Sequence, residues 1–101
     1  MLRINVTNDP AERWTPVIAR HFTMTLAPHE TTIRSLTVQL VAPAPKDASP
    51  AYACELHGRG ANGFELRIRS SHEDGDMAIA HAFARARREL RRGRLRARMV
   101  S

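Results

Sequence analysis

The apolar face of the last helical segment constrains this fold more than any other feature of the sequence. Over residues 76–92, apolar side chains recur at three- and four-residue spacing within an arc of about 100° on a helix; these are Ile79, Ala82, Phe83, Ala86 and Leu90. A helix with one apolar stripe has to bury that stripe against another layer of secondary structure. The rest of the chain must therefore provide a layer that covers it.

The opposite side of the same segment is cationic. Residues 85–98 contain eight arginines and one acidic residue, Glu89, giving a net charge of +7, whereas the rest of the chain has eight basic and nine acidic residues. A basic surplus confined to one segment is typical of a protein that binds a polyanion. A GC-rich coding bias would explain why arginine outnumbers lysine fifteen to one, but not why the arginines cluster.

We predict that the arginines outside the apolar arc bind RNA phosphates, because a guanidinium contacts phosphate oxygens through two parallel hydrogen bonds. A solvated helix face is the alternative interpretation, although like charges three or four residues apart destabilise a helix unless something neutralises them. The weaker candidates, which would extend the surface from other elements, are Arg67, Arg69 and Arg20 with His21. The principal candidates are Arg85, Arg87, Arg88, Arg91 and Arg92.

Alternating apolar and polar residues predict four strands ahead of this helix. The glycine-rich segment 58–63 predicts a turn, so the third and fourth strands should form a hairpin. The proline-rich segment 42–50 predicts a loop between the second and third strands. The predicted strands are Leu2–Thr7, Ile33–Val41, Tyr52–His57 and Phe64–Arg69.

Two helix starts compete after the first strand. Asp9 to Glu12 has the pattern of a capping box, whereas Thr15-Pro16 offers a threonine cap followed by proline at the first helical position. A helix that began at Asp9 would contain Pro16 in its interior, at a cost of about 3 kcal/mol. The helix is therefore predicted to run from Thr15 to about Leu26.

Polar and acidic residues lead into the last helix, where a helix N-terminus favours hydrogen-bond acceptors and negative charge. Gly93 predicts the end of that helix. We accordingly expect a single α/β RNA-binding domain over residues 1–93 and a basic tail over residues 94–101 that orders only on a partner. The residues that lead into the helix are Ser71, Glu73, Asp74 and Asp76.

The remaining reactive residue types indicate no catalytic or metal site. Cys54 occupies an inward strand position and is predicted to be a small buried residue rather than a nucleophile. His72-Glu73-Asp74 is predicted to serve the helix start rather than a metal, and Trp14 to be a packing residue. His57 and His81 have no partner at ligand spacing and His29 lies beside a proline in a loop, so all three are predicted to be surface residues.

No nucleophile elbow or phosphate-binding Gly-Lys-Ser/Thr loop occurs in the sequence. We therefore expect neither enzyme activity nor a cofactor, metal or small-molecule substrate. A single cysteine excludes an internal disulfide, and the sequence has neither a signal-peptide core nor an apolar run of membrane-spanning length. These observations predict a cytoplasmic protein with no membrane partner.

The order strand, helix, three strands, helix resembles the ribosome hibernation promoting factor family, which includes the ribosome-associated inhibitors. The features that carry the resemblance are Thr15-Pro16, Ile18, His72-Glu73-Asp74, Ala78-Ile79, Leu90 and the basic side of the last helix. The resemblance implies an α+β fold of order β-α-β-β-β-α. It also implies a four-stranded sheet with both helices packed on one face, similar to a double-stranded-RNA-binding domain.

The same resemblance implies a function in ribosome hibernation under stress. Such proteins bind the small ribosomal subunit and its RNA where messenger and transfer RNA pass, and so block translation and stabilise idle ribosomes. No second domain follows in the sequence, which predicts the short form of the family. Two departures, Gly75-Asp76 in place of the common Met-Tyr and a long segment 42–50, leave open a different RNA target.

Two other functions compete with RNA binding. The cationic helix could bind an acidic partner protein, or serve a homodimer, and the sequence does not determine the oligomeric state. An amphipathic helix lying on an anionic membrane is disfavoured, because the apolar arc is rich in alanine and is needed to cover the sheet.

Overall fold

The chain forms four strands and two helices in the predicted order. The computed structural model describes residues 2–9, 12–27, 33–43, 51–60 and 63–100, with side chains in the last helix described as far as residue 92. The predicted β-α-β-β-β-α order is confirmed. The elements are β1 (Leu2–Thr7), α1 (Thr15–Thr25), β2 (Ile33–Val41), β3 (Tyr52–Gly60), β4 (Glu65–His72) and α2 (Gly75–Val100).

The four strands form one mixed sheet in the order β1-β2-β3-β4. β1 pairs with β2 in parallel, whereas β2 with β3 and β3 with β4 are antiparallel pairs. A parallel pair needs a long crossover connection, and α1 lies within the connection between β1 and β2. β3 and β4 form the predicted hairpin.

Both helices cover the same face of the sheet, as predicted, and leave the other face open. The apolar side of each strand joins the two helices in a single hydrophobic cluster. Burial of each large apolar side chain stabilises the fold by about 1.5–3 kcal/mol. The whole predicted apolar arc of α2 is at most 1% exposed: Ile79, Ala82, Phe83, Ala86 and Leu90.

The start of α1 differs from its prediction in one respect. Trp14, not Thr15, occupies the N-cap position, and no side chain at that position makes a capping hydrogen bond. The Asp9 carboxylate accepts hydrogen bonds from the backbone N–H groups of Arg13 and Trp14 instead, at 3.1 and 3.0 Å. The prediction of a Thr15 cap is therefore wrong, because an acceptor from the preceding turn satisfies the N–H groups just before the helix.

The strands of the hairpin are longer than predicted. β3 continues through Gly58, which pairs with Leu36 on one side and Leu66 on the other. The predicted start of the turn at residue 58 is therefore wrong, since ladder pairing on both sides overrides the weak strand preference of glycine. β4 likewise continues to His72, which pairs with Tyr52.

At the start of helix α2, Asp74 accepts hydrogen bonds from backbone N–H groups of the first turn, as the acidic run predicted. The Asp74 carboxylate accepts from the backbone N–H of Asp76 at 2.9 Å, and its carbonyl oxygen accepts from Ala78 at 3.0 Å. The helix continues to Val100, so the predicted end at Gly93 is wrong. A single glycine costs about 1 kcal/mol inside a helix, and the arginine, leucine and alanine around it are strong helix formers.

The structure explains the departure at Gly75. A Cβ atom there would lie 2.5 Å from Cη2 of Trp14, which is buried as predicted and packs edge-on against Tyr52 at 5.3 Å between ring centroids. A larger residue at position 75 would displace the Trp14 ring. The indole therefore occupies the space beside the start of α2.

Some predictions fall outside the described residues. They concern His29, most of the proline-rich loop and residues 61 and 62 of the hairpin turn. Among the helices that the structure describes, none combines the length and apolar character needed to cross a membrane. The separate role predicted for residues 94–101 stays a prediction, although α2 continues across that boundary.

Candidate nucleic-acid interface

The cationic side of α2 faces away from the core. Because α2 buries its apolar arc against the sheet, its arginines are carried on the outer side of the helix. All five principal candidates are exposed: Arg85, Arg87, Arg88, Arg91 and Arg92. The structure confirms their exposure, while their binding of RNA stays a prediction.

Three of these arginines line one groove between α1 and α2. The groove measures about 440 Å³, and Ala80 and Ala84 of α2 also line it. Alanine has a short side chain, so these positions leave space between the helices. The other lining residues are His21, Thr25, Arg87, Arg88 and Arg91.

No carboxylate neutralises this groove within the part of the chain that the structure describes. The ion pairs among the described residues involve His57 and arginines outside the groove, and the only such pair on α2 joins Arg92 to Glu89 at 3.4 Å. Like charges three and four residues apart repel one another along a helix. The groove is therefore a preformed concentration of positive charge, which a bound anion would stabilise.

His21 is the titratable group of the groove. Its ring stacks on Phe83 with centroids 6.0 Å apart. Burial, followed by the charge of Arg20, lowers the pKa of His21 below its usual value, while Asp76 acts weakly in the opposite direction. The imidazole is therefore neutral at pH 7, and it gains a positive charge beside the arginines when the pH falls.

Arg85 has a structural contact that the sequence did not reveal. Its Nη1 donates a hydrogen bond of 2.7 Å to the backbone carbonyl of Arg69 on β4. β4 is an edge strand, and an arginine that satisfies one of its outward carbonyl groups makes that edge less available to another strand. Arg85 thus connects α2 to the sheet edge and is less free to bind a ligand than Arg87 or Arg91.

The weaker candidates do not join this groove. Arg67 and Arg69 project from the open face of the sheet, where Arg67 pairs with Glu65 at 3.1 Å and Arg69 with Glu55 at 3.5 Å. Arg20 is exposed on α1 next to His21 but is not among the residues that line the groove. The candidate residues are therefore distributed over the helix side and the sheet side of the molecule, and Arg69 also lines a depression with Arg85 and Arg88 at the β4 edge.

Groups that could perform chemistry have other environments. Burial, with a smaller effect of the Glu55 charge, raises the pKa of the Cys54 thiol to about 12, so it is a poor nucleophile. Cys54 is fully buried, as predicted. Among the described residues, no three histidine, cysteine, aspartate or glutamate side chains form a group that could hold a metal ion.

Sequence reasoning identified one groove histidine and missed a contact of another. His21, which was named with Arg20 as an extension of the contact surface, lines the groove with Thr25, four residues later on the same face of α1. His57 was assigned no partner, yet its Nε2 lies 2.9 Å from the carboxylate of Glu65. That contact depends on the register of β3 against β4, which no local pattern gives.

Solved structures share this architecture. A ribosomal subunit interface protein from Coxiella burnetii superposes with a TM-score of 0.72 at 6% identity, over 93% of this chain and 97% of the other. The N-terminal domain of Thermus thermophilus Protein Y superposes with a TM-score of 0.64 at 18% identity, over 91% and 98%. No protein-family model and no curated protein matches the sequence. The chain thus has the α+β fold of these two proteins.

Proposed function

We propose that this protein is a ribosome-associated translation inhibitor, a hibernation factor that binds small-subunit ribosomal RNA through α2. The observation that carries the proposal is the groove of arginines without carboxylate partners, on a fold shared with a ribosomal subunit interface protein. The resemblance of the sequence to hibernation factors adds independent support. Such a function would be exercised in the cytoplasm.

The geometry of the groove suits an RNA backbone. Arg87 and Arg91 are one helical turn apart, which places their stems about 6 Å from each other, and Arg88 lies between them along the helix. Each guanidinium can contact phosphate oxygens with two hydrogen bonds. Several phosphates at regular spacing would relieve the repulsion among the arginines, which a single small anion would do less well.

Recognition is proposed to depend on backbone shape rather than on bases. Tyr52 and Phe64 pack against the core and are only partly exposed, so neither offers a free ring on which a base could stack. Proteins that bind double-stranded RNA read phosphates and 2′-hydroxyl groups mostly by shape. The proposed ligand is accordingly a folded RNA rather than an unpaired sequence motif.

A charge-matched pair of variants tests the proposal. In Arg87→Gln/Arg91→Gln the two groove arginines are neutralised. In the control, Arg13→Glu, the net charge falls by the same two units at a residue outside the candidate surface. Arg13 lies over the Trp14 ring at 5.1 Å, in the connection between β1 and α1. Sedimentation with purified small ribosomal subunits at 100 mM salt should show binding reduced by about tenfold or more for the first variant only.

The outcome also separates RNA from an acidic protein partner. If the groove serves ribosomal RNA, protein-free ribosomal RNA competes with the subunits for the wild-type chain. Equal weakening by the groove variant and the Arg13→Glu control would indicate a nonspecific effect of net charge and would remove the assignment to α2. Loss of binding to subunits without any affinity for RNA would favour a protein surface as the partner.

A further inference from the structure

The open face of the sheet carries a second group of basic side chains, on the side opposite to the helices. Strand register places Arg3, Thr37 and His57 on one row across β1, β2 and β3. Ser35 and Arg59 face each other on the adjacent row of β2 and β3. Since alternate residues of a strand point to one face, these five side chains share the open surface.

The carboxylates of this face are already engaged. Glu65 pairs with His57 at 2.9 Å and with Arg67 at 3.1 Å, although its direct neighbour across the hairpin is Arg59. Those contacts lower the pKa of Glu65, with the hydrogen bond from His57 as the largest cause. Glu55, the other carboxylate on this face of the described strands, pairs with Arg69 at 3.5 Å.

Arg3 and Arg59 have no acidic partner among the described residues. Both are exposed, and among the described residues neither makes a hydrogen bond or ion pair. The β3–β4 half of the open face is therefore close to neutral, whereas the β1–β3 half has two arginines without a counter-charge. The two halves differ because the carboxylate of Glu65 contacts His57 and Arg67 rather than Arg59, its direct neighbour across the hairpin.

The side chains around these two arginines supply hydrogen-bond donors. A shallow depression of about 310 Å³ lies between them, with the hydroxyl-bearing residues Ser35 and Thr37 and the ring of His57 at its walls. Guanidinium groups only donate hydrogen bonds, and hydroxyl groups can donate as well as accept. This combination favours an anion with several acceptor oxygens.

We propose that this depression, lined by Arg3, Thr37 and Arg59, binds a phosphate of an RNA backbone and so forms a second RNA contact opposite to α2. Neighbouring strands lie about 4.8 Å apart, so Arg3 and Arg59 arise from strands separated by about 10 Å and flank the depression from both sides. The inference shares its ligand with the proposed function but none of its residues. A protein with both sites would lie between two RNA segments.

An RNA backbone fits this surface better than a small phosphorylated metabolite. Sites for small molecules are concave and bury most of the ligand, whereas this depression lies on an exposed sheet face. An extended polyanion needs only partial burial and gains from the whole positive surface around the phosphate. The charge and the shallow shape therefore both favour a polymer.

The test measures RNA binding at the depression on the open face, called the sheet site, after RNA binding by the groove between α1 and α2 has been weakened. The full-length chain carrying Arg87→Gln/Arg91→Gln is labelled with ¹⁵N and titrated with a 12-base-pair RNA duplex at 50 mM salt. Backbone amide signals of Arg3, Ser35, Thr37 and Arg59 are expected to shift. Adding Arg3→Gln/Arg59→Gln should lower the remaining affinity about tenfold. It should also reduce the slope of log affinity against log salt concentration by about 2.

The control for this step is Arg13→Glu in the same background, which lowers the net charge by the same two units and should change affinity less than twofold. Equal losses in the two variants, or amide shifts confined to the α1/α2 groove, would overturn the sheet site. An equally strong shift of the same amides with a poly-glutamate peptide of matched charge would overturn RNA as its ligand.

Failure of this inference and failure of the proposed function give different results. If wild-type RNA binding shifts groove amides while sheet amides stay fixed, α2 is the RNA surface and the sheet site is wrong. If sheet amides shift while groove amides do not respond even in the wild-type chain, the sheet site stands and the assignment to α2 is wrong. Circular dichroism of each variant confirms that the fold is retained.

Discussion

Helix α2 and strand β4 use arginine in opposite ways. On α2 three neighbouring arginines line a groove in which the described residues place no carboxylate, whereas on β4 both Arg67 and Arg69 lie beside glutamates. A helix with one acidic residue among many arginines cannot neutralise itself, but a hairpin brings opposite charges together across strands. Residue type therefore does not decide which arginines are free to bind a ligand.

Reversing the charge of the outer face of α2 should have the largest effect on binding. Arg85, Arg88, Arg91 and Arg92 changed together to Glu should lower the affinity for small ribosomal subunits by about a thousandfold or more, because phosphate contacts are replaced by repulsion. Co-sedimentation measures the loss. Unchanged binding with an intact circular dichroism spectrum would show that α2 is not the binding surface.

Salt dependence gives the same face a quantitative signature. If six or so arginines each release a counterion, affinity should fall by about a thousandfold between 50 and 200 mM salt. Wild-type titrations at several salt concentrations measure the slope. A slope close to zero would indicate that the free arginines do not contact phosphates.

The position of the helix face depends on the contact between Trp14 and Gly75. Gly75→Ala should lower the free energy of unfolding by about 1–3 kcal/mol, because the new Cβ would lie 2.5 Å from Cη2 of the indole. Urea denaturation measures the loss. In a Trp14→Phe background the same substitution should cost much less, and an equal cost there would show that the indole is not the cause.

A lower pH should increase the positive charge of the groove between α1 and α2. Because burial and Arg20 lower the pKa of His21 below its usual value of about 6.5, protonation in more acidic solution adds a charge to the helix groove, and RNA affinity should rise as the pH falls below that value. Fluorescence anisotropy at constant ionic strength measures the rise, which His21→Gln should reduce. A profile that His21→Gln leaves unchanged would assign the effect to another group.

The lowered pKa of His21 also makes the stability of the fold depend on pH, and stability should fall where RNA affinity rises. A histidine with a lowered pKa in the folded state is neutral in both states above about pH 6.5, and below that the unfolded chain binds the proton more readily. The contribution of His21 to stability is therefore full above pH 6.5 and is lost as the pH falls. The denaturation midpoint of the wild-type chain should therefore fall relative to that of His21→Gln as the pH decreases below about 6.5.

The smallest effect is expected on the β3–β4 half of the sheet. Arg69→Gln should change the free energy of unfolding by less than about 0.5 kcal/mol, since exposed ion pairs contribute little. Binding to RNA should also stay nearly constant, because this guanidinium already has Glu55 beside it. A loss comparable to that of Arg87→Gln would remove the distinction between free and paired arginines.

Local patterns predicted most of the fold but not the contacts at its junctions. The alternation in Leu2–Thr7 and Ile33–Val41 gave those strands their observed bounds. Gly58 was assigned to a turn because glycine is a poor strand residue, yet pairing on both sides keeps it in β3. The cap of α1 was missed because Asp9 reaches it from a turn five residues before Trp14.

By itself, the sequence determined the order of the elements, the buried side of α2 and the concentration of positive charge on its other side. These properties repeat with the period of a strand or a helix, so residues close in the chain are enough to specify them. Tertiary structure alone decided which arginines are paired, that Arg85 bonds the β4 edge and that Trp14 leaves room only for glycine at position 75. Those contacts join residues far apart in the chain, and their geometry depends on strand register and helix packing.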